Sequence, residues 1–472
     1  MTLKDSKGLW LTGDPLLAHI NDTFHKLFQA TSAYRRTSLY SDPSVCATSP
    51  FLKHSHQLSS IPLPDEILNT LRCLPPLKAP GPDGFHALFF QTNWHILGQS
   101  IIQIIQDIFE QLHIPTSWGH TNVVLIPKVA HPEIITQFRP ISLCNTLYKL
   151  LSRILVRRLK PYIAEIINPC QAGFVPGRRT SDNIILFQEV IRTLRYRKGR
   201  TGYVAIKLDL EKAYDRLKWS FIQDTLNFFQ FPPNLITLIM NMISSTRFHI
   251  LWNGTPLPEI IPTRGVRQGD PLSPYLFILC LERLSIKLEE AVRDKRLHPI
   301  SFRGQVRLSH LFFADDIFLF THAKAKDCTQ LNHILHQFCA ASGQLVSASK
   351  SRLWFSPNTS RHYKEQVTGI LSIPTTNHIG TYLGTPIFTS RRTTSSYQYL
   401  VDKIRVKIEG WQAKYLSMAG RTTLIKSVVS TIPIYAMQTT LIPQKISHQL
   451  DKMSCNFLWG DTVHHRSCHT VS

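Results

Sequence analysis

Two adjacent carboxylates, Asp315 and Asp316, stand between apolar runs in Leu308–Phe320, LSHLFFADDIFLF. The flanking Leu, Phe and Ile residues predict two buried strands, and the Ala-Asp-Asp step predicts the tip of a tight hairpin. Two like charges side by side are unfavourable unless something neutralises them. A divalent cation, which takes hard oxygen ligands, would do so and would suit phosphoryl chemistry. Taken alone, the stretch also reads as an ordinary polar turn.

A third carboxylate lies in Gly202–Trp219, GYVAIKLDLEKAYDRLKW. Tyr203–Leu208 alternates as a strand does, Asp209 comes where that strand runs out, and Glu211–Trp219 predicts the start of a helix. An Asp so placed can be aimed at the tip of a neighbouring hairpin. Asp209, Asp315 and Asp316 are therefore candidate ligands for two Mg2+ ions. Two such ions clamp the attacking and leaving oxygens of an in-line phosphoryl transfer. Asp215, inside the predicted helix, favours a structural or solvated role. In Arg264–Leu279, RGVRQGDPLSPYLFIL, Gly265, Gly269 and two prolines predict a loop, with Pro274 in the first turn of the helix that follows. Such a loop lets backbone and Gln268 approach a nucleotide. A plain helix-start loop capped by Asp270 is the alternative.

These residues, with others in chain order, resemble the reverse transcriptases of LINE-type non-LTR retrotransposons, the plant members in particular. Leu77–Phe85 (LKAPGPDGF), Val123–Lys128 (VVLIPK), Phe138–Leu143 (FRPISL) and Gln171–Ile184 (QAGFVPGRRTSDNI) resemble that family's fingers motifs. KLDLEKAYD, RQGDPLSP, FADD, Ser349–Phe355 (SKSRLWF) and Tyr382–Pro386 (YLGTP) resemble its palm motifs, and Gly410–Tyr435 its thumb. The resemblance implies an α+β right-hand polymerase with fingers, a palm built on an antiparallel sheet, and a helical thumb. It divides the chain into a lead-in connector and linker (1–58), fingers (59–200), palm (201–388) and a helical thumb cut short at the C-terminus (389–472). It implies an RNA-directed DNA polymerase that adds dNTPs to a primer 3′-hydroxyl, with an RNA template, a DNA primer and their hybrid as partners.

Carried over by position, Asp209, Asp315 and Asp316 imply the metal-binding triad, holding two Mg2+ with Mn2+ as a substitute, and Leu210 would lend a backbone carbonyl to a metal. Tyr214 falls where an aromatic ring excludes a 2′-hydroxyl, which is specificity by steric clash. Gln268 falls where the incoming nucleotide is touched. Lys128 and Arg139 would meet the triphosphate, and Lys350 would face the leaving pyrophosphate. Family members carry an endonuclease upstream and continue past the thumb. Residues 1–58 resemble only the connector, and Phe457–Ser472 only the start of that continuation, so a chain lacking both domains and unable to nick DNA in cis is the expectation. Two other readings compete: a catalytically idle nucleic-acid-binding relic, and an intron-maturase-like splicing cofactor. A viral RNA polymerase shares paired aspartates, but Tyr214 argues against it.

The chain has 472 residues, 43% hydrophobic and 18% charged, which fits a globular protein and excludes a disordered one. Its 53 Lys and Arg against 31 acids give a net charge of +22, an excess suited to a polyanion. Basic clusters lie at Arg153–Lys160, Arg178–Arg179 and Arg192–Arg200; the last contains RYRKGR, a candidate nuclear-import patch. Nine scattered cysteines with no C-x-x-C pair fit a reducing compartment, nucleus or cytoplasm. Cys455, His464, His465, Cys468 and His469 are ligand types, but their spacing fits no standard zinc module. His333 and His336 read as decoration on a helix. No apolar run reaches membrane-span length, so a membrane is not an expected partner.

The elements that must position these residues are legible in part. Helices are predicted over Leu17–Phe28, Ile101–Leu112 and Leu147–Ile167, the last broken or kinked at Pro161. Ala30–Ser60 reads as a Ser- and Thr-rich linker. In the thumb, Trp411, Leu416, Leu424 and Val428 are expected on buried faces.

Overall fold

The computed structural model describes residues 2–5, 7–30, 49–199, 201–302, 307–387, 394–411 and 415–460. Arg200 and the tail residues His464, His465, Cys468 and His469 lie outside them. Eight strands form two four-stranded sheets among the described residues. They are β1 (His120–Pro127), β2 (Phe138–Cys144), β3 (Tyr203–Leu208), β4 (Arg247–Trp252), β5 (Thr255–Pro256), β6 (His310–Phe313), β7 (Asp316–His322) and β8 (Arg352–Phe355). The first sheet runs β2-β1-β4-β5, with β1 and β4 parallel and the other pairs antiparallel. The second runs β6-β7-β3-β8 and is antiparallel throughout.

The second sheet is covered on both faces, and the period-2 pattern of its strands divides the apolar side chains between two cores. Ile317 and Leu319 of β7, with Val204, Ile206 and Leu208 of β3, enter the larger core. Phe318 and Phe320, with Tyr203 and Ala205, enter a smaller one closed by Phe187 and Tyr382. The four consecutive apolar residues Ile317–Phe320 are all fully buried. That burial explains why the segment reads as a continuous apolar run rather than an alternating one. Each such side chain contributes about 1.5–3 kcal/mol of burial energy. Phe318→Ala, in contact with Phe187 at 4.2 Å between ring centroids, would cost about 3–5 kcal/mol.

Helices carry the rest. The helix α1 (Gly13–Phe28) lays Leu16, Ile20, Phe24 and Phe28 on the first sheet against Phe248 and Ile250. Next come α2 (Trp94–Gln111), α3 (Thr146–Ile166) and α4 (Thr180–Tyr196). The helix α3 runs on through Pro161, where a break or kink is predicted. Leu159 and Ile163, both fully buried on either side, hold the segment to the core despite the lost backbone donor. The single helix expected from Glu211 is two: α5 (Ala213–Arg216) and α6 (Trp219–Phe228), parted by extended Leu217 and Lys218. The helix α7 (Ser273–Arg293) is buried on nearly all sides, with Pro274 in its first turn as predicted. The helix α8 (Ala325–Ser342) carries His333 and His336 on its exposed side.

Of the predicted linker Ala30–Ser60, residues 31–48 lie outside the described residues, and its C-terminal end is helical. Pro50–Lys53 and Ser55–Ser59 are short helices that bury Phe51, whose ring lies 4.0 Å from that of Phe231. Two apolar anchors, Phe51 and Leu58, outweigh a polar composition. In the C-terminal helices, α9 (Gln398–Glu409) and α10 (Gln444–Trp459) pack with Val429 and Ala436. Trp411, Leu416, Leu424 and Val428 are only half-buried there. The turn Ile425–Val429 is a π-helix, closed by Ser430 N–H donating to the Ile425 carbonyl at 2.9 Å. One extra residue per turn shifts the phase, so that Val429 points inward instead of Val428. No described helix is long and apolar enough to cross a membrane.

Candidate catalytic centre at the end of the antiparallel sheet

The carboxylates meet because of strand register. In the β3–β7 pairing Ile317 lies opposite Leu208, so the next residue on each strand is Asp316 and Asp209. The hairpin closes at the Phe313–Asp316 pair, leaving Ala314 and Asp315 as its two-residue tip. Ala314 sits at φ 53°, a left-handed conformation that costs a non-glycine residue about 1–2 kcal/mol. A buried amide offsets that cost. The Gln171 Oε1 accepts from Ala314 N–H at 3.1 Å and from Gly173 N–H at 2.9 Å. A Cβ on Gly173 would lie 2.5 Å from the Ala314 nitrogen, so only glycine lets this segment approach the tip. Asn183 donates to the Phe312 carbonyl from the same side. The segment Gln171–Ile184, which resembles a fingers motif, therefore braces the hairpin. Gln171 was not among the predicted site residues, and no periodicity or charge pattern singles it out.

The three aspartates differ in setting. Asp315 is exposed, while Asp316 and Asp209 are half-buried. Burial raises the Asp316 carboxyl above the usual range, and the nearby charges of Asp315 and Asp209 raise it further, against the pull of Lys207. Asp316 thus feels both of the other carboxylates, the electrostatic condition a divalent cation relieves. The three do not all close to within 4.8 Å of one another, however, as ligands of one ion do. Leu210 is buried and its backbone bridges to Val346. Asp209 is anchored through its backbone, its N–H donating to Ser351 Oγ at 3.1 Å and its carbonyl accepting from Ser347.

Opposite stands a group of cations. Lys350 Nζ lies 3.8 Å from Asp209 Oδ2. Desolvation lowers the Lys128 amine, and repulsion from Lys350 and Arg139 lowers it further. Lys212, also lowered chiefly by burial, feels Lys128, Lys350 and Arg139 and donates to the Phe138 carbonyl at 3.2 Å. The sequence reading missed Lys212, although it lies two residues before Tyr214 in the strand-to-helix segment. Lys128, Arg139, Lys212 and Lys350 form one positive surface beside the carboxylates, the arrangement that receives a polyphosphate.

Tyr214 and Gln268 complete the floor. The Tyr214 ring stacks on Phe277 at 4.8 Å, and burial together with the Asp315 charge raises its phenol well above the usual range. Gln268 donates Nε2 to both oxygens of Asp215, at 3.0 and 3.1 Å. Asp215 is buried, and desolvation pushes its carboxyl up to about 6. It is buried and paired with Gln268 rather than solvated. Gly265, at φ +88°, would bring a Cβ to 2.6 Å from the Asp215 carbonyl oxygen, so the loop needs glycine there. Asp270 accepts from Tyr148, Ser152 and the Leu272 N–H and braces the start of α7, away from any ligand role. Two members of the basic clusters are held within the fold. Arg178 donates to the carbonyls that end α3, and Arg158 pairs with Glu66 at 2.7 Å.

The family model for reverse transcriptase (RNA-dependent DNA polymerase) matches residues 126–400, more than half of the chain. The transposon TX1 uncharacterized 149 kDa protein of Xenopus laevis is 28% identical over 84% of this chain and 30% of its own length. The Pol polyprotein from the retrotransposable element R2DM of Drosophila melanogaster is 31% identical over 52% of the chain and 22% of its own length. The RNA-directed DNA polymerase from the mobile element jockey of the same fly is 27% identical over 48% of the chain and 25% of its own length. The chain therefore spans less than a third of each of these relatives.

Proposed function

Because this chain belongs to the reverse transcriptase family and has its right-hand polymerase fold, we propose that it adds dNTPs to a primer 3′-hydroxyl on an RNA template. We place it with the non-LTR retrotransposon enzymes, and in their plant LINE-type branch on the strength of the motifs quoted above. The proposal takes residues 59–200 as fingers, 201–388 as palm and 389–472 as thumb. The single observation that supports it most is the β3–β7 register, which sets Asp209 beside the Asp315-Asp316 tip.

The donor set suits Mg2+, because hard carboxylate oxygens crowd one sheet end where their mutual repulsion calls for a cation. Asp209, Asp315 and Asp316 would hold two such ions, with the Leu210 carbonyl as a further ligand. When bound, the ions would supply charge neutralisation on the triphosphate and activation of the primer hydroxyl. The protein's own groups would orient the substrate. Lys128, Arg139 and Lys212 would bind the phosphates, Gln268 would touch the nucleotide, and Lys350 would face the leaving group. Tyr214 would close the space a 2′-hydroxyl needs. The working compartment proposed is nucleus or cytoplasm.

Primer extension on an annealed RNA template, with dNTPs and Mg2+, tests the reading. The parent chain should extend, and an Asp315→Asn, Asp316→Asn double variant should not, while both bind RNA with the same steep salt dependence. An inactive parent that still binds RNA would favour the relic reading.

A further inference from the structure

At the end of β7 remote from the aspartates, three side chains from three segments converge. His322 is the last residue of β7, Asp327 lies in the first turn of α8, and His298 precedes the short strand Ile300–Ser301. One ligand atom from each lies within 4.8 Å of the others. His298 Nδ1 is 3.1 Å from Asp327 Oδ2, and His322 Nδ1 is 3.7 Å from the same oxygen. The two imidazoles are parallel within 9°, with ring centroids 5.0 Å apart. Asp327 is fully buried, His322 half-buried and His298 more open, so the group has a dry base and one open side.

The surroundings orient these groups. Tyr203 OH lies 3.0 Å from His322 Nε2. When that nitrogen donates to the phenol, Nδ1 presents a lone pair toward the Asp327 carboxylate. Two electron-rich atoms then face each other beyond hydrogen-bond length, a repulsion that a cation between them converts into attraction. The Thr321 hydroxyl reaches both Asp327 Oδ2, at 3.4 Å, and the His298 carbonyl, at 3.2 Å. Ligands about 2.0–2.1 Å from a tetrahedral ion sit about 3.3 Å apart. The two observed nitrogen–oxygen separations bracket that spacing. A second group, His120, His249 and Glu259, is less suited, because Arg247 already pairs with Glu259 at 2.9 Å.

We propose that His298, His322 and Asp327 bind a zinc-class divalent cation, which staples the outer end of β7 to α8 and to the segment leading into Ile300. Two imidazoles and one carboxylate select Zn2+ or Co2+ over Mg2+, which prefers an all-oxygen shell. The site lies six residues along β7 from Asp316, about 20 Å at the rise of a strand. Its role is therefore separate from phosphoryl transfer.

The test is Co2+ titration of the full chain in excess Mg2+, followed by visible absorption. The background carries His464→Ala, His465→Ala, Cys468→Ala and His469→Ala, so that the tail contributes no ligand. One equivalent should bind with a d–d spectrum of nitrogen and oxygen ligands. His298→Ala and Asp327→Asn should each weaken binding tenfold or more, and Zn2+ should displace Co2+ and raise the melting temperature by about 1–3 °C. Asp327→Asn removes a buried group, and His298→Ala, more open to solvent, keeps the test independent of folding. Binding unchanged in His298→Ala, a thiolate charge-transfer band, or no binding at all would overturn the proposal.

Discussion

Gln268 holds both carboxylate oxygens of Asp215 with one amide nitrogen, at 3.0 and 3.1 Å. The loop residue expected to touch the nucleotide is thereby aimed by a buried acid on the strand-to-helix segment. The Gln268 backbone is fixed too, because its carbonyl accepts from Ser142 N–H at 2.7 Å. The β2 strand, the Gln268 loop and α5 are therefore tied together by hydrogen bonds.

The Asp215 carboxyl is raised to about 6 from an ordinary 3.8. The folded state therefore holds a proton that the unfolded chain releases between those values. The associated stability is complete below pH 4 and is lost as pH rises through 6, about 3 kcal/mol in all. Asp215→Asn cannot ionise, so the variant should gain on the parent between pH 4 and 6 and keep that difference above. Melting curves of the two proteins across this range check it. A constant offset would remove Asp215 from the account.

Gly173→Ala should push the hairpin tip away from Gln171, because the new methyl meets the Ala314 nitrogen at 2.5 Å. The expected result is a loss of about 1–3 kcal/mol in stability and at least a tenfold fall in the extension rate. Gly369→Ala is the control. It lies in the helix Arg361–Leu371 with nothing within 4 Å and should stabilise by about 0.5–1 kcal/mol without touching activity.

Lys212→Ala should raise KM for dNTP about tenfold, equivalent to about 1.4 kcal/mol, with little change in template binding. Desolvation and neighbouring cations lower both Lys128 and Lys212. Nucleotide affinity should therefore decline on the alkaline side before ordinary lysines titrate. Steady-state kinetics against pH, for parent and variant, read both effects.

Tyr214→Ala should admit ribonucleotides, raising the rNTP-to-dNTP ratio of kcat/KM by tenfold or more. Tyr214→Phe keeps the ring on Phe277 and should keep discrimination. An unchanged ratio in the alanine variant would remove the steric role.

The acidic hairpin, its partner strand and the helix after Pro274 were all legible, because each combines strong periodicity with a punctuating residue. The cations Lys128, Arg139 and Lys350 were legible only through resemblance, since nothing in local sequence separates them from the other 50 basic residues. Gln171, Lys212 and the Asp215–Gln268 pair were not legible, because their partners lie far away in the chain and no short window contains both. Two expectations shifted for local reasons, one at the described end of the linker and one at Val428 in the C-terminal helices. Composition hid the Phe51 anchor, and a π-turn moved the buried position from Val428 to Val429.

Asp209 and Asp316 extend from the two inner strands of the second sheet, with β6 and β8 outside them. Fraying starts at edges, so the strands that carry the acids are the last of this sheet to open. Amide hydrogen exchange at Ala205, Ile206, Phe318 and Leu319 should be among the slowest in the protein. The same pairing joins residues more than 100 positions apart. On the ribosome, β3 must wait for β7 to emerge, and the two acids come together late.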